Sequence, residues 1–234
     1  MSISSSRPKS IAAKKNALLQ CAVITGDIVH SSRLSPEDWE KLHAIMKESS
    51  RSLREFFKEV APLDVDIFRG DSWQLLTLDP SKSLRISLFY RAIIRAKMGK
   101  PNIDTRMAIA VGRIDSIPKT RVSEGHGEAY TLSGEALDRL TKSKAAKMCF
   151  VHENDELALT FDIIVRLIDA IATQWTDKQA LAFSGALRGM KQEEIAEKLW
   201  EKRITQQAVA QHLSRAGWDA VEQGIVYFER RLRG

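Results

Sequence analysis

Two hydrophobic periods alternate along this chain, and the places where one gives way to the other outline its elements. Gln20–Val29 is a short apolar run rich in β-branched residues, as a buried strand requires. Ser35-Pro36-Glu37-Asp38 then supplies an N-cap, a proline at the first helical position and early acids, so a helix starts there. Its apolar residues Trp39, Leu42, Ile45, Met46, Leu53, Phe56, Phe57 and Val60 keep helical spacing as far as a stop near Ala61-Pro62. Leu63, Val65 and Ile67 alternate with Asp64 and Asp66, and Trp73–Leu78 is apolar again, which makes a β-hairpin turning at Gly70-Asp71. A second helix runs from Leu84 to Met98 and stops at Gly99-Lys100-Pro101. Met107, Ile109 and Val111 then alternate on a fourth strand.

The order β-α-β-β-α-β is the ferredoxin-like or palm arrangement, an antiparallel sheet with two helices on one face. Beyond it, residues 113–131 form a long polar connection, Ser133-Gly134-Glu135 opens a short helix through Leu140, and Ala146–Val151 is one more strand. From Leu157 the pattern is helical to the end. The expected class is α+β, with a basic disordered tail over 1–19, a palm domain over 20–152, and an all-α domain over 153–234 holding a helix-turn-helix at about 188–215.

Composition narrows the function classes only a little. Hydrophobic residues make up 44% of the 234, ordinary for a globular chain. Cys21 and Cys149 lie in strand-like runs without paired spacing and read as buried thiols of a reducing compartment. No apolar run approaches the roughly 20 residues that span a bilayer, so a cytoplasmic protein with no membrane partner is expected. The net charge of +6 draws on Arg7, Lys9, Lys14 and Lys15, in a stretch with no acid before Asp27. From Arg188 onward nine Lys/Arg face seven Asp/Glu, an excess too small to argue for DNA by itself.

Candidate chemistry begins with Asp27. A carboxylate in an apolar run is costly unless the strand ends there or the charge meets a cation. In the palm topology, strand one should neighbour the hairpin that turns at Gly70-Asp71, so Asp27 and Asp71 would face each other across a short gap. Two carboxylates with few other ligands suit Mg²⁺ or Mn²⁺, which keep waters and take further oxygens from substrate phosphates. The segment Ile28–Ser32 can offer backbone N–H groups to phosphate. Arg69 is placed to contact a phosphate or a base.

The motifs Ile24-Thr25-Gly26-Asp27-Ile28-Val29, Gly70-Asp71-Ser72-Trp73-Gln74, Arg106 to Gly112 and Tyr130 to Leu140 resemble the SatD family of bacterial proteins. More remotely, their order is similar to that of class III nucleotidyl cyclases. That resemblance implies a metal site at Asp27 and Asp71 with a backbone contact at Ile28; Arg69 and Gly70, from their place at the hairpin, are the candidate nucleotide contacts beside it. Where such cyclases carry an Asn and an Arg on a late helix, this chain has Asp138, a candidate nucleotide contact, and Lys142, a candidate catalytic cation. Lysine lacks the bidentate fork of arginine and Asp138 would repel phosphate, which speaks against cyclisation.

In the tail, Leu187–Leu199 is amphipathic after a Gly turn, and Thr205–Arg215 follows a short connection. The pairing of Glu194-Ile195-Ala196 with Val209 and Leu213 resembles the helix-turn-helix of sigma-factor region four. That would make Thr205 the cap of a recognition helix and leave Gln206, Gln207, Gln211 and Arg215 to meet base edges or phosphate. The resulting expectation is a regulator that binds a nucleoside triphosphate with a divalent metal, and DNA, with a homodimer open. The rivals are a two-metal nucleotidyltransferase or cyclase and a degenerate palm used as an interaction scaffold.

Overall fold

A computed structural model describes residues 19–68, 70–100, 102–143 and 146–233. Its elements are β1 (Leu19–Val29), α1 (Pro36–Phe57), β2 (Asp66–Phe68), β3 (Ser72–Thr77), α2 (Ser83–Met98), β4 (Asp104–Ile114), α3 (Glu128–Ser143), β5 (Met148–His152), α4 (Asp155–Thr173), α5 (Asp177–Leu187), α6 (Gln192–Lys198), α7 (Gln206–Arg215) and α8 (Trp218–Arg233). The sheet runs β2-β3-β1-β4-β5, antiparallel except for the parallel pair β4-β5. This is a mixed α+β structure whose first four strands carry the expected βαββαβ connectivity.

β1 has a neighbour on each side and helices over each face, which is why its middle must be apolar throughout. Ala22, Ile24 and Ile28 enter a core shared with α1, α2, Trp73, Ile109 and Phe150. Cys21 and Val23 point the other way, toward Leu76 and Ala129. Ala108 and Cys149 extend that second face beneath Ala136 and Leu140 of α3. The layers are therefore α3, the sheet, and α1 with α2. Both cysteines are buried as expected, and burial pushes Cys21 up to about 11 and Cys149 up to about 12.

The first strand keeps its expected end at Val29, running through Asp27 because that carboxylate is paired across the sheet. Other boundaries differ from the sequence pattern, each for a polar reason. The fourth strand begins at Asp104, since that carboxylate and Thr105 are both hydrogen-bonded and tolerate burial. α3 starts at Glu128 rather than Ser133. Ser133 is no cap: its Oγ lies 2.8 Å from Thr25 Oγ1 and donates to the Tyr130 carbonyl, so the hydroxyl is satisfied inside the helix. The long connection before α3 is anchored where Asp66 accepts hydrogen bonds from Arg121 and Ser123.

The core runs unbroken across residue 153. The Phe150 ring of β5 meets Phe161 of α4 at 5.4 Å and Phe228 of α8 at 5.3 Å, while Arg91 of α2, wholly buried, bonds Asp104 of β4 and Asp169 of α4. Ile195 of α6 and Val209 and Leu213 of α7 pack together. Thr205 Oγ1 caps α7 by accepting from the Ala208 N–H at 3.1 Å. No described helix is long and apolar enough to cross a membrane.

Candidate functional site

Antiparallel register sets Arg106 of β4 directly opposite Asp27. Its Nε and Nη2 donate to Oδ1 and Oδ2, each at 3.0 Å, so one guanidinium forks both carboxylate oxygens. The side chains are 19% and 18% exposed, which leaves the pair partly open to solvent. The strand end beneath it is clamped. Thr105 Oγ1 donates to the Asp27 carbonyl at 2.8 Å and accepts from Trp73 Nε1 at 2.9 Å. Gly26 makes this possible: a Cβ there would lie 2.4 Å from the Trp73 indole.

Asp71 occupies the hairpin turn after Gly70, whose φ of 82° suits glycine. Its Oδ2 accepts from Ser31 Oγ, in the loop that leaves β1. Continuing the β1–β3 register aligns Ser72 with Asp27 and Asp71 with Ile28. Asp27, Ile28, Gly70 and Asp71 thus come to one end of the sheet. Ile28 buries its side chain in the core, leaving only its backbone for a ligand. Arg69 lies outside the described residues.

Beside this end opens a cleft of about 750 Å³, within the usual size of small-molecule sites. His30, Arg33, Arg106, Lys147, Arg166 and Asp169 help line it. The one acid among these six is spent inward: Asp169 accepts from Arg91 through Oδ1 and from the Lys147 backbone N–H through Oδ2. Arg166 is held by Asp162, and Arg106 by Asp27. Arg33 and Lys147 make no ion pair among the described residues. Lys147 is half-buried, which lowers its pKa, and its Nζ donates to Thr173 Oγ1 at 3.3 Å. His30, at φ 62°, is the one described non-glycine residue with positive φ, a conformation that costs energy and is concentrated at functional sites.

The other sequence candidates are elsewhere. Ser133, Ala136 and Leu140 turn the inner side of α3 to the sheet, and Asp138 and Lys142 are exposed and line no part of the cleft. Gln206, Gln207, Gln211 and Arg215 are exposed along α7. No sequence pattern singles out Arg33, Lys147 or Arg166, and Arg106 stands out only as part of the Arg106 to Gly112 motif. The signal for Arg106 was present: Asp27 needed a cation, and strand four had to run antiparallel beside it.

Among the described residues no three or more His, Cys, Asp or Glu side chains gather as a metal cluster. A hard cation that arrives with substrate phosphates needs only one or two carboxylates. Asp27 and Asp71, with the Ile28 backbone, fit that requirement in kind. Arg106, however, already sits on Asp27.

No family model matches the chain and no curated protein matches it, so the comparisons give no support to the SatD family. Among solved structures it is remotely similar to class III cyclase domains. A bacterial light-regulated adenylyl cyclase aligns at 14% identity and TM-score 0.41, over 57% of this chain and 43% of that one. Adenylyl cyclase CyaB from Pseudomonas aeruginosa aligns at 16% and 0.36, over 51% of this chain and 71% of that one. A class III adenylyl cyclase-like ATP-binding protein from the same organism aligns at 11% and 0.36, over 91% of this chain and 43% of that one. The chain thus spans less than half the length of the first of these. At such identities the likeness decides nothing about the site, whose reading rests on this chain's own residues.

Proposed function

We propose that the cleft binds a nucleoside triphosphate together with Mg²⁺ or Mn²⁺. The observation that carries this reading is the charge at one end of the sheet: among the described residues Arg33 and Lys147 line the cleft without carboxylate partners, and Asp27 is joined to the cleft through Arg106, with Asp71 at the same sheet end. In this reading the two cations bind phosphate oxygens, and Asp27, Asp71 and the Ile28 backbone hold the metal. The metal would neutralise phosphate charge. Asp169 and Thr173 fix Lys147 by its backbone N–H and its Nζ. Calorimetric titration with the four nucleoside triphosphates should show binding of at least one, weaker when the divalent ion is withheld; no heat with any of them removes the reading.

A cyclase or nucleotidyltransferase reaction is the enzymatic form of the same proposal. It would draw its transition-state charge from the cleft cations, since Lys142 is exposed on α3. Chromatography of incubated triphosphates separates the two forms: product that disappears in Asp27→Asn supports turnover, and unchanged triphosphate leaves binding alone.

A second reading concerns α7, whose exposed face carries Gln206, Gln207, Gln211 and Arg215 with no acid among them. Glutamine amides match adenine edges and arginine matches guanine or phosphate, which favours duplex DNA. Mobility shifts at rising salt should show complexes that weaken with salt and are lost in a Gln207→Ala/Gln211→Ala/Arg215→Ala variant. Equal mobility for parent and variant would reduce α7 to a packing helix.

A further inference from the structure

Arg106 has two attachments at once. It forks both oxygens of Asp27, and it lines the cationic cleft. A divalent ion on Asp27 and the Arg106 guanidinium compete for the same carboxylate, because two cations cannot share it without repulsion at about 3 Å separations. An anion entering the cleft competes for the same guanidinium from the other side.

We infer that Arg106 is a latch on the metal site: in the absence of an anion it occupies the cation position on Asp27 and keeps divalent ions off, and a phosphate in the cleft draws it away. This rests on the reading of Asp27 as a metal ligand, and it adds an order to that reading. Free metal binds poorly, phosphate binds and takes Arg106, and Asp27 then becomes available. By linkage the coupling is reciprocal, so metal on Asp27 releases Arg106 toward the anion. The Asp27 backbone stays held by Thr105, so exchanging partners requires rotamer changes and no break in the β1–β4 ladder.

Mn²⁺ titration of the full chain without any nucleotide, followed by electron paramagnetic resonance of the free ion, tests the latch directly. Arg106→Gln should bind Mn²⁺ on the order of tenfold or more tightly than the parent, because it loses the competing cation. Adding Asp27→Asn should abolish that gain. Equal Mn²⁺ affinity in parent and Arg106→Gln overturns the latch and leaves the metal reading standing. No Mn²⁺ binding in either protein, with or without triphosphate, sinks the metal reading and the latch together. A measurement on the parent chain keeps the inference exposed should Arg106→Gln fold poorly. The Arg106 Nε–H signal in nitrogen-15 spectra should shift and exchange faster with solvent when Mg²⁺ and triphosphate are bound; an unchanged signal in the loaded protein overturns it.

Discussion

Asp104→Ala is expected to lower the unfolding free energy by about 3–5 kcal/mol, the range for removing one partner of a buried ion pair. Asp104 is 1% exposed and sits between two arginines. Arg91 donates to it through Nε at 2.9 Å and Nη2 at 2.7 Å, and Arg95 Nη1 adds a third bond at 2.8 Å. Alanine would leave both guanidiniums in the core with Asp169 as the one remaining carboxylate. The damage would spread, because Arg91 is the joint between α2, β4 and α4. Urea denaturation at neutral pH measures the loss, and a change under about 1 kcal/mol would contradict this account.

The same carboxylate sets an acid limit. Burial alone would raise the Asp104 pKa, but Arg91 and Arg95 outweigh it and hold the group below its ordinary value. A depressed folded-state pKa means that the stabilisation is complete above the unfolded value of roughly 4 and is lost as pH falls through the folded one. Asp66, held by Arg121 and Ser123 against the cost of its burial, and Glu229, held by Arg85 and Lys82 in the same way, shift in the same direction. Stability should therefore fall steeply only below about pH 4. Asp104→Ala should flatten that dependence, which circular dichroism across an acid titration would record.

Arg33→Ala/Lys147→Ala is expected to weaken triphosphate binding by roughly a hundredfold or more. Each charged hydrogen bond to phosphate contributes about 1.5–3 kcal/mol, and about 1.4 kcal/mol is a factor of ten. These two are the sensitive cations, since among the described residues neither is engaged by a carboxylate, whereas Arg106 and Arg166 are. Arg33 is exposed and Lys147 half-buried, so the double variant should keep its fold and its urea midpoint within a narrow margin. Calorimetry reads the affinity. Binding that persists at parental strength would place the triphosphate somewhere other than this cleft.

The local parts of the structure were legible because their determinants are neighbours in the chain. Ser35-Pro36 starts α1, Gly99 in the left-handed region ends α2, and the apolar run of β1 marks it as the strand buried on both sides. Asp27 could also be singled out, as a charge in need of a partner. The start of α3 was misread because a serine ahead of an acid looks like a cap. In the fold the Ser133 hydroxyl is satisfied by Thr25, a residue of a strand that no local pattern could bring to it.

The first six elements, their βαββαβ order and the placing of the two aspartates at strand ends could be read from the chain alone. Tertiary structure alone decided what those aspartates meet. The β1–β4 register chose Arg106 for Asp27, and the parallel strand β5 with α4 behind it carried Lys147 and Arg166 to the cleft. Periodicity and capping are fixed within a few residues of a position, whereas a site is assembled from segments far apart in the chain, and only strand pairing and helix packing set their separation.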